Sequence, residues 1–342
     1  MLKNKKVLLI SVKFFNYEAL IKQELEKKGA SVMLFDERPS NSFFSKAIIR
    51  VKKEFYKTKI NSYYRKLIQQ LDREKFDYFL LIKGEAVPKF FIEFLRSKNP
   101  NIQLFYYTYD SFKNNKNGLE IMDLFDAKFT FDSNDAIKYN MGFRPLFFAT
   151  DYSDLYSNPK KSFNYDLAFI GTAHSDRYII AEDASKWCLK NGFKMFTFYF
   201  SPSELLFKIK KVTEKSFKDF DKAKISFKSL SHKEIISIYN DSKSILDINH
   251  PGQNGLTMRT FETLGAGRKL ITTNENVKKY PFYNPQNICI IDRAKPHYNK
   301  SFFETDFVPI SDDVYKSMSL AGWIEEVFGL KSTKIWANAL EK

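Results

Sequence analysis

The sequence predicts an α/β protein built of two doubly wound domains, and three observations lead to this prediction. The chain has 342 residues, which is more than a single hydrophobic core usually serves. Short β-branched runs alternate with segments of helical periodicity, an order typical of parallel sheets covered by helices. A polar stretch at 150–164 separates two such alternations. We therefore place one domain at 1–150 and the other, with the terminal helices, at 151–342.

The first domain is expected to alternate strands and helices from its start. Its strands are predicted at Lys6–Val12, Ser31–Phe35, Phe76–Ile82, Ile102–Tyr109 and Ala127–Phe131. A helix over Tyr17–Lys28 is indicated by its apolar spacing and by Gly29, a residue favoured just beyond a helix end. Further helices are predicted at Lys89–Ser97 and Leu119–Phe125, with a long basic helical region at 43–75.

The second domain repeats this alternation. Strands are predicted at Asp166–Ile170, Lys194–Phe200, Ala223–Phe227, Ser244–Ile248, Lys269–Thr273 and Asn287–Ile291. Helices are predicted at Asp176–Lys190, 203–215, 232–240, 257–265 and within 313–340, where Trp323 and Trp336 lie on apolar stripes. Two such Rossmann-like domains are expected to face a cleft. Ligands of these sheets bind beyond the carboxyl ends of the strands, so polar residues directly after strands are the candidate site residues.

The composition narrows the classes of partner. The chain is 44% hydrophobic, which excludes a globally disordered protein, and its net charge is +15. A positive charge suits nucleic acid, an anionic membrane face or phosphorylated substrates, although codon bias alone also enriches lysine. The basic and aromatic region Lys46–Arg73 is either a contact with an anionic inner-membrane leaflet or acceptor, or a solvated helix whose aromatic residues pack inward.

Location is indicated by cysteine usage and hydropathy. Two cysteines without metal-site or disulfide spacing fit a reducing cytosol. The apolar run Val7–Val12 is too short for a signal peptide, and no run approaches the roughly 18 apolar residues that span a membrane. We expect a cytoplasmic protein that works at the inner face of the membrane as a peripheral protein.

The segment Asp247–Asn274 carries the strongest functional pattern. It is predicted to run strand, glycine-bearing loop, helix, glycine turn and strand. Gly252 and Gly255 allow the loop backbone to approach a ligand closely. A helix that starts near Thr257 directs unpaired backbone N–H groups toward that loop, which makes an anion site.

Two charged side chains follow in the same helix. Arg259 presents a fork-shaped cation that suits a diphosphate or a carboxylate. Glu262 lies on the same side of the helix and suits the hydroxyls of a ribose. The alternative is that Glu262 is a surface carboxylate paired with Arg259 or Lys269.

This arrangement resembles the nucleotide-binding segment of two-domain glycosyltransferases of the GT-B fold. The whole chain resembles bacterial lipopolysaccharide and capsular polysaccharide biosynthesis glycosyltransferases. The resemblance rests on short pieces in order along the chain: Asp36-Glu37-Arg38-Pro39, Tyr109-Asp110-Ser111, Thr130-Phe131-Asp132, Arg144-Pro145-Leu146, Phe169-Ile170-Gly171-Thr172, Asp176-Arg177-Tyr178, Gly255-Leu256-Thr257-Met258-Arg259 and Glu262–Ile271. It implies transfer of a sugar from a nucleotide-activated donor to a glycan or lipid-linked acceptor, with no cofactor and no required metal.

The chain departs from the resemblance at one position. Many retaining members carry two glutamates eight positions apart, and Glu262 matches the second, but Asn254 stands at the first. The stereochemistry of transfer therefore stays open. The same departure supports an alternative function, a non-catalytic sugar- or nucleotide-binding protein of polysaccharide assembly.

A second candidate loop follows the first strand of the second domain. Gly171 and Thr172 are expected to hold phosphate through the backbone and a hydroxyl, with Arg177 in support. The alternative is an ordinary helix start that Ser175 or Asp176 caps.

Catalytic candidates are few. His250 lies in the loop before the key helix, and imidazole titrates near neutral pH. A base for the acceptor hydroxyl is expected among strand-end carboxylates of the first domain, with Asp110 first and Glu85 second. Asp36–Arg38 and Asp132 also lie at strand ends. Each has a structural alternative as a turn, a cap or an ion pair.

Several other chemistries lack support in the sequence. It contains neither a phosphate-binding P-loop motif nor the zinc-protease motif H-E-x-x-H, and no G-x-G-x-x-G follows the first strand. Asp219-Phe220-Asp221 has the spacing of a metal-binding pair but precedes a predicted strand, so we expect a surface turn. No basic nucleic-acid module is recognisable, and nucleic acid is not an expected partner.

Overall fold

The computed structural model describes residues 2–42, 45, 48–49, 52–113, 115–331 and 334–340. The chain divides into two compact units, Met1–Pro145 with Leu320–Leu340 and Leu146–Ser319. The sequence placed all the terminal helices in the second domain, whereas the last segment belongs to the first unit. The reason is a tertiary contact, because the buried Trp323 packs edge-on against Tyr107 with their ring centroids 4.7 Å apart.

The first unit is built on a six-stranded parallel sheet in the order β2-β1-β3-β4-β5-β6. Its strands are β1 (Lys6–Ser11), β2 (Ser31–Asp36), β3 (Tyr78–Ile82), β4 (Gln103–Thr108), β5 (Ala127–Thr130) and β6 (Gly142–Phe143). The strand order reverses at β1, which lies between β2 and β3. Polar residues that follow these three strands therefore come together.

The helices of the first unit pack apolar faces on this sheet. They are α1 (Tyr17–Lys27), α2 (Lys57–Leu71), α3 (Lys89–Lys98) and α4 (Ser133–Lys138). In α2 the buried residues Ile60, Tyr64 and Leu67 recur at helical spacing. In the basic region predicted over 43–75, the described residues Ser45, Ile48, Ile49 and Lys52 are helical, a 3-10 turn follows at Lys53–Tyr56, and α2 begins at Lys57. Residues 43, 44, 46, 47, 50 and 51 lie outside the described part.

The second unit has a second six-stranded parallel sheet, in the order β12-β11-β10-β7-β8-β9. Its strands are β7 (Tyr165–Thr172), β8 (Met195–Phe200), β9 (Ile225–Ser226), β10 (Ser242–Asp247), β11 (Lys269–Thr272) and β12 (Ile288–Ile290). Here the order reverses between β7 and β10, so the loops that follow these two strands are neighbours.

The helices of the second unit are α5 (Thr150–Ser157), α6 (Arg177–Lys190), α7 (Glu204–Thr213), α8 (His232–Asp241), α9 (Met258–Gly265), α10 (Lys300–Glu304) and α11 (Asp312–Met318), and α12 (Leu320–Val327) follows in the first unit. The prediction of a linker at 150–164 is wrong for about its first half, because α5 occupies Thr150–Ser157. This segment is polar in composition, but it contains Tyr152. That side chain is buried and packs edge-on against Tyr239, with their ring centroids 5.2 Å apart.

Each sheet carries its own hydrophobic core, one centred on Leu8, Phe79 and Phe91 and the other on Phe169, Tyr199 and Phe220. Both cysteines are unpaired thiols. Among the described residues, no helix combines the length and the apolar composition needed to cross a bilayer.

Candidate functional site

The loops that follow β7 and β10 are joined by a half-buried arginine at the point where the strand order reverses. The Nε atom of Arg177, at the start of α6, donates to the carbonyl oxygen of Ile248 at 2.8 Å. Burial, and then the neighbouring Arg259, lower the pKa of Arg177 to about 10, so its guanidinium stays charged at neutral pH. This site is where sheets of this type bind ligands.

A second arginine, which sequence reasoning missed, braces the same loops. Arg293 donates from Nε and Nη2 to the two carboxylate oxygens of Asp176, at 2.6 and 2.8 Å, and from Nη2 to the carbonyl oxygen of Asn249 at 2.8 Å. Asp176 therefore binds Arg293 and does not cap α6 through its side chain. The available signal was the position of Arg293 just after β12, the same strand-end rule that identified the other candidates.

The start of α9 is held by a buried carboxylate. Thr257 is the N-cap residue, as predicted from the sequence. The hydroxyls of Thr257 and Thr260 donate to Oδ2 of Asp247 at 2.6 and 2.9 Å. The other oxygen of Asp247 lies 4.0 Å from the guanidinium of Arg259. Asp247 thus holds the helix start and faces the arginine in the first turn.

Glu262 lies one turn further along α9 and is only 6% exposed. The alternative of a surface carboxylate paired with Lys269 does not hold, because Lys269 is itself buried and donates to the carbonyl oxygen of Thr305 at 3.1 Å. Burial, and then the charge of Glu262, raise the pKa of the Tyr239 hydroxyl. Glu262 is therefore a buried carboxyl group of α9 that lies near Tyr239.

Two histidines, one from each of the loops that follow β7 and β10, face each other. The rings of His174 and His250 are 5.5 Å apart between centroids. Burial, and then Arg177 and His250, lower the pKa of His174 to about 3, so this ring is neutral at physiological pH. His250 is exposed, and its Nδ1 lies 2.8 Å from the carbonyl oxygen of Pro251. Because a carbonyl oxygen accepts, Nδ1 of His250 is the donor in this contact.

Of the glycine and hydroxyl candidates, two lie within a strand and one lies in a loop. Gly171 and Thr172 are the last residues of β7, so the loop begins after them. A Cβ at Gly171 would lie 2.6 Å from the ring of Phe169, and close packing accounts for this glycine. Gly255 lies in the loop before α9, where its carbonyl accepts from Nε2 of Gln253 at 3.0 Å.

A second charged cluster lies beyond β2, β3 and β4 of the first unit. Glu85 is fully buried and accepts from Nε of Arg38 at 2.7 Å and from Nζ of Lys83 at 2.9 Å. Burial favours the neutral form, but Lys83 and Arg38 outweigh it and lower the pKa of Glu85 to about 2. Asp110 lies 3.3 Å from Nζ of Lys83 and keeps 31% of its side chain exposed. Asp110 is therefore the accessible carboxylate of this cluster.

Glu37 is the other buried carboxyl of the cluster. Its Oε1 accepts from the backbone N–H of Ala86 at 2.6 Å, and its Oε2 has no hydrogen-bond partner among the described residues. Burial, and then the charge of Glu85, raise the pKa of Glu37 to about 7. This carboxyl exchanges a proton near neutral pH in an interior site.

The remaining carboxylate candidates have structural roles. Asp132 caps α4 by accepting from the backbone N–H groups of Asn134 and Asp135. Asp221 caps a short 3-10 turn, and Phe220 is fully buried beside it. Over the residues that the structure describes, no group of three or more His, Cys, Asp or Glu side chains is placed to hold a metal ion.

A cavity of about 390 Å³ lies in the first unit, away from the predicted site residues. Its wall includes Arg144, whose Nε lies 2.7 Å from Oε2 of Glu326 and whose guanidinium covers the ring of Trp336 at 5.2 Å. The returning C-terminal segment forms much of this cavity.

Comparison with known proteins identifies the fold. No protein-family model and no curated protein sequence matches the chain. Among solved structures it is similar to a sucrose-phosphate synthase from Thermosynechococcus elongatus, at 11% identity and a TM-score of 0.54 over 98% of this chain and 97% of that one. It is similar to an α-glucosyltransferase solved with UDP and a 13-mer DNA, at 14% identity and a TM-score of 0.52 over 98% and 94%.

A third similar structure is the UDP-GlcNAc 2-epimerase of Neisseria meningitidis bound to UDP-GlcNAc, at 10% identity and a TM-score of 0.54 over 95% and 100% of the chains. These identities are too low to carry activity across. They show that the chain has the α/β fold of GT-B proteins, with a six-stranded parallel sheet in each of two Rossmann-like units.

Proposed function

We propose that the protein is a glycosyltransferase whose second unit binds a nucleotide-activated sugar. The observation that carries the proposal is the convergence of Arg177, Arg259 and Arg293 with the start of α9 at the reversal point between β7 and β10. Cations and unpaired helix N–H groups at such a point suit the phosphates of a nucleotide. The GT-B neighbours solved with UDP or ADP support this class of ligand.

Each side chain then has a role that its position supports. Arg259 and the first N–H groups of α9 hold the phosphates and stabilise the charge that develops on them as the sugar leaves. Glu262 accepts hydrogen bonds from ribose hydroxyls. His250 contacts the donor sugar.

The reaction forms a bond between the anomeric carbon and an acceptor hydroxyl and breaks the bond from that carbon to the donor phosphate. Asp110 of the first unit accepts the proton of the acceptor hydroxyl, and the nucleotide leaves with its phosphate charge held by arginine. We assign the acceptor to the glycan or lipid-linked class of lipopolysaccharide and capsule synthesis, at the cytoplasmic face of the membrane. We propose that no metal is required, since cations and the helix start supply the positive charge.

The test is nucleotide-dependent thermal stabilisation. UDP, GDP, dTDP, ADP and CMP are each added to the wild type, to Glu262→Gln and to Arg259→Gln. A nucleotide at 100 times its dissociation constant should stabilise the wild type by roughly 2.7 kcal/mol, and both variants should lose most of that gain. The exposed residues Glu304 and Lys300 provide matched controls, Glu304→Gln and Lys300→Gln, which should respond like the wild type. A nucleotide that stabilises all five proteins equally would place the site elsewhere.

A non-catalytic nucleotide-sugar-binding protein is the second candidate, and Asn254 favours it. Its carbonyl oxygen accepts from Nδ2 of Asn274 and of Asn276, both at 3.3 Å. The backbone at this position is therefore held by the segment that follows β11. Hydrolysis or transfer of the stabilising donor by the wild type, lost in Asp110→Asn while nucleotide binding remains, excludes this candidate. Binding without any turnover in the presence of glycan acceptors supports it.

A further inference from the structure

Helix α7 exposes an apolar stripe. Leu205, Ile209 and Val212 are 69%, 48% and 84% exposed. Their spacing of four and three residues places them on one face of the helix. Single exposed apolar residues are ordinary, but a contiguous row of them marks an interaction surface.

The opposite face of α7 packs on the core of the second unit, and these contacts keep the apolar stripe exposed. Phe207 is buried and packs edge-on against Phe220 at 5.4 Å between ring centroids. Lys210 places its ammonium group over the ring of Phe217 at 5.0 Å and donates to the carbonyl oxygen of Ala173 at 3.4 Å. The N-cap Ser203 fixes the helix start by accepting from the N–H of Leu206.

The surroundings of the stripe are strongly basic. Residues 204–228 contain eight lysines and four acidic residues. Two of the acidic side chains are engaged locally, because Glu204 pairs with Lys222 at 2.6 Å and Asp221 caps the turn that follows. Lys208, Lys215 and Lys218 are exposed beside or beyond the apolar row. The patch therefore combines apolar side chains with an excess of positive charge.

We propose that α7 docks the second unit on an anionic lipid surface. Leu205, Ile209 and Val212 enter the boundary between headgroups and acyl chains, and the surrounding lysines contact headgroup phosphates. A helix with one apolar face and lysines at its borders lies in this way in a membrane interface. Each lysine near an anionic leaflet adds about 1 kcal/mol of attraction, or roughly fivefold in partitioning.

This patch differs from the region in which the sequence predicted membrane contact. In α2 the apolar residues Ile60, Tyr64 and Leu67 face the core, which leaves a polar outer face. Phe55 is exposed ahead of that helix, with Lys52 5.4 Å from its ring, and among the described residues near it no row of exposed apolar side chains accompanies it. Within the described residues of the two regions, an apolar row bordered by lysines occurs at α7.

The docking helix adjoins the loop that follows β7. Lys210 bonds to Ala173, and its charge helps to lower the pKa of the adjacent His174, after burial, Arg177 and His250. A docked α7 therefore holds this loop close to the lipid surface. That consequence bears on the proposed transferase function, whereas the docking itself does not depend on it.

The test is flotation of the full-length protein with vesicles of phosphatidylcholine alone or of phosphatidylcholine with phosphatidylglycerol. The wild type should float with the anionic vesicles and be released by added salt. Leu205→Gln/Ile209→Gln/Val212→Gln should reduce that binding at least tenfold, and Lys211→Gln/Lys215→Gln/Lys218→Gln should reduce it and flatten its salt dependence. The control Ile137→Gln/Leu189→Gln/Leu330→Gln removes three apolar residues that are 54%, 82% and 38% exposed elsewhere and should bind like the wild type.

Several outcomes would overturn the docking proposal. Failure of the wild type to bind anionic vesicles would do so, as would equal losses in the α7 variant and the control. Sedimentation velocity tests a second copy as the occupant: a wild-type dimer that the α7 glutamines dissociate, without vesicle binding, would assign the patch to self-association. If the protein preferred a DNA duplex to anionic vesicles at the same ionic strength, the lysines around α7 would be a nucleic-acid contact instead. Nucleotide stabilisation of the α7 variant reports the donor site separately.

Discussion

Glu37 and Glu85 share one buried cluster, yet their pKa values shift in opposite directions. Glu85 has Arg38 and Lys83 as partners, and their charge outweighs the cost of burial. Glu37 has one backbone N–H donor at its carboxyl group, and burial together with the Glu85 charge favours its neutral form. The placement of two cations thus decides which glutamate carries the charge.

The raised pKa of Glu37 makes stability depend on pH. Glu37 titrates near pH 7 when folded and near its ordinary value of 4.5 when unfolded. The stabilisation is therefore complete below the unfolded value and is lost as the pH rises through 7. Glu37→Gln should remove a slope of roughly 1 kcal/mol per pH unit across that window. Urea unfolding at a series of pH values measures it, and an unchanged slope would show that Glu37 does not titrate there.

The positions of some candidate residues could be predicted from the sequence because their evidence is local. Thr257 and Arg259 stand directly after a glycine-bearing loop, and the structure places them at the helix start. The position of Arg293 just after β12 was a local signal, but its pairing with Asp176 could not be predicted, since the two residues lie 117 positions apart along the chain. Glu85 was named as a base, but its pairing with Arg38 depends on contacts between loops that follow different strands.

At the scale of elements, α9 depends on a glycine that lets it approach the segment before α5. A Cβ on Gly265 would lie 2.3 Å from Cγ of Phe148, a buried ring that also packs on Tyr315. Overpacking at such a site costs roughly 1–3 kcal/mol of folding stability. This cost outweighs the gain of about 1 kcal/mol that alanine brings to a helix relative to glycine.

Gly265→Ala should therefore destabilise the second unit, as measured by urea unfolding. Gly192→Ala is the matched control, because its Cβ would meet open space while its φ of 79° strains any side chain. That control should cost roughly 1 kcal/mol from the backbone alone. Equal stability of the Gly265 variant and the wild type would mean that Phe148 moves without cost.

Most elements could be predicted because their periodicity is local. The β-branched runs gave strand positions, and apolar spacing gave the helices α1, α3 and α8 within a residue or two of each end. The strand β6 was missed because its two residues, Gly142 and Phe143, form no β-branched run. The helix α5 was missed because polar residues surround Tyr152, and the partner that buries Tyr152 is distant in sequence.

At the scale of the whole molecule, the first unit is completed by the end of the chain. Trp323 is fully buried against Tyr107, Phe328 packs on Phe105 at 5.0 Å between ring centroids, and Glu325 pairs with Lys28 at 2.7 Å. The alternation of elements indicated two domains, but this return depends on tertiary packing and is not encoded in any local pattern.

Trp323→Ala should therefore weaken the first unit selectively. Removal of a buried tryptophan costs about 3–5 kcal/mol. Hydrogen exchange should lose protection in β4 and keep it in β7. Trp187→Ala, which removes a ring packed on Phe193 in the second unit, should show the reverse pattern. Loss of protection in both sheets with either variant would mean that the units unfold together.

The ends of the second unit lie side by side. The N–H of Phe148 donates to the carbonyl oxygen of Met318 at 3.0 Å, and Phe148 forms a β-bridge with Ser319. In topological terms the second unit is an insertion: it is one continuous segment, and the first unit comprises the segments before and after it. A short peptide joining residues 146 and 319 would therefore close it into a ring, and new termini opened at an exposed loop would give a circular permutant in which the β7 and β10 loops keep their neighbours.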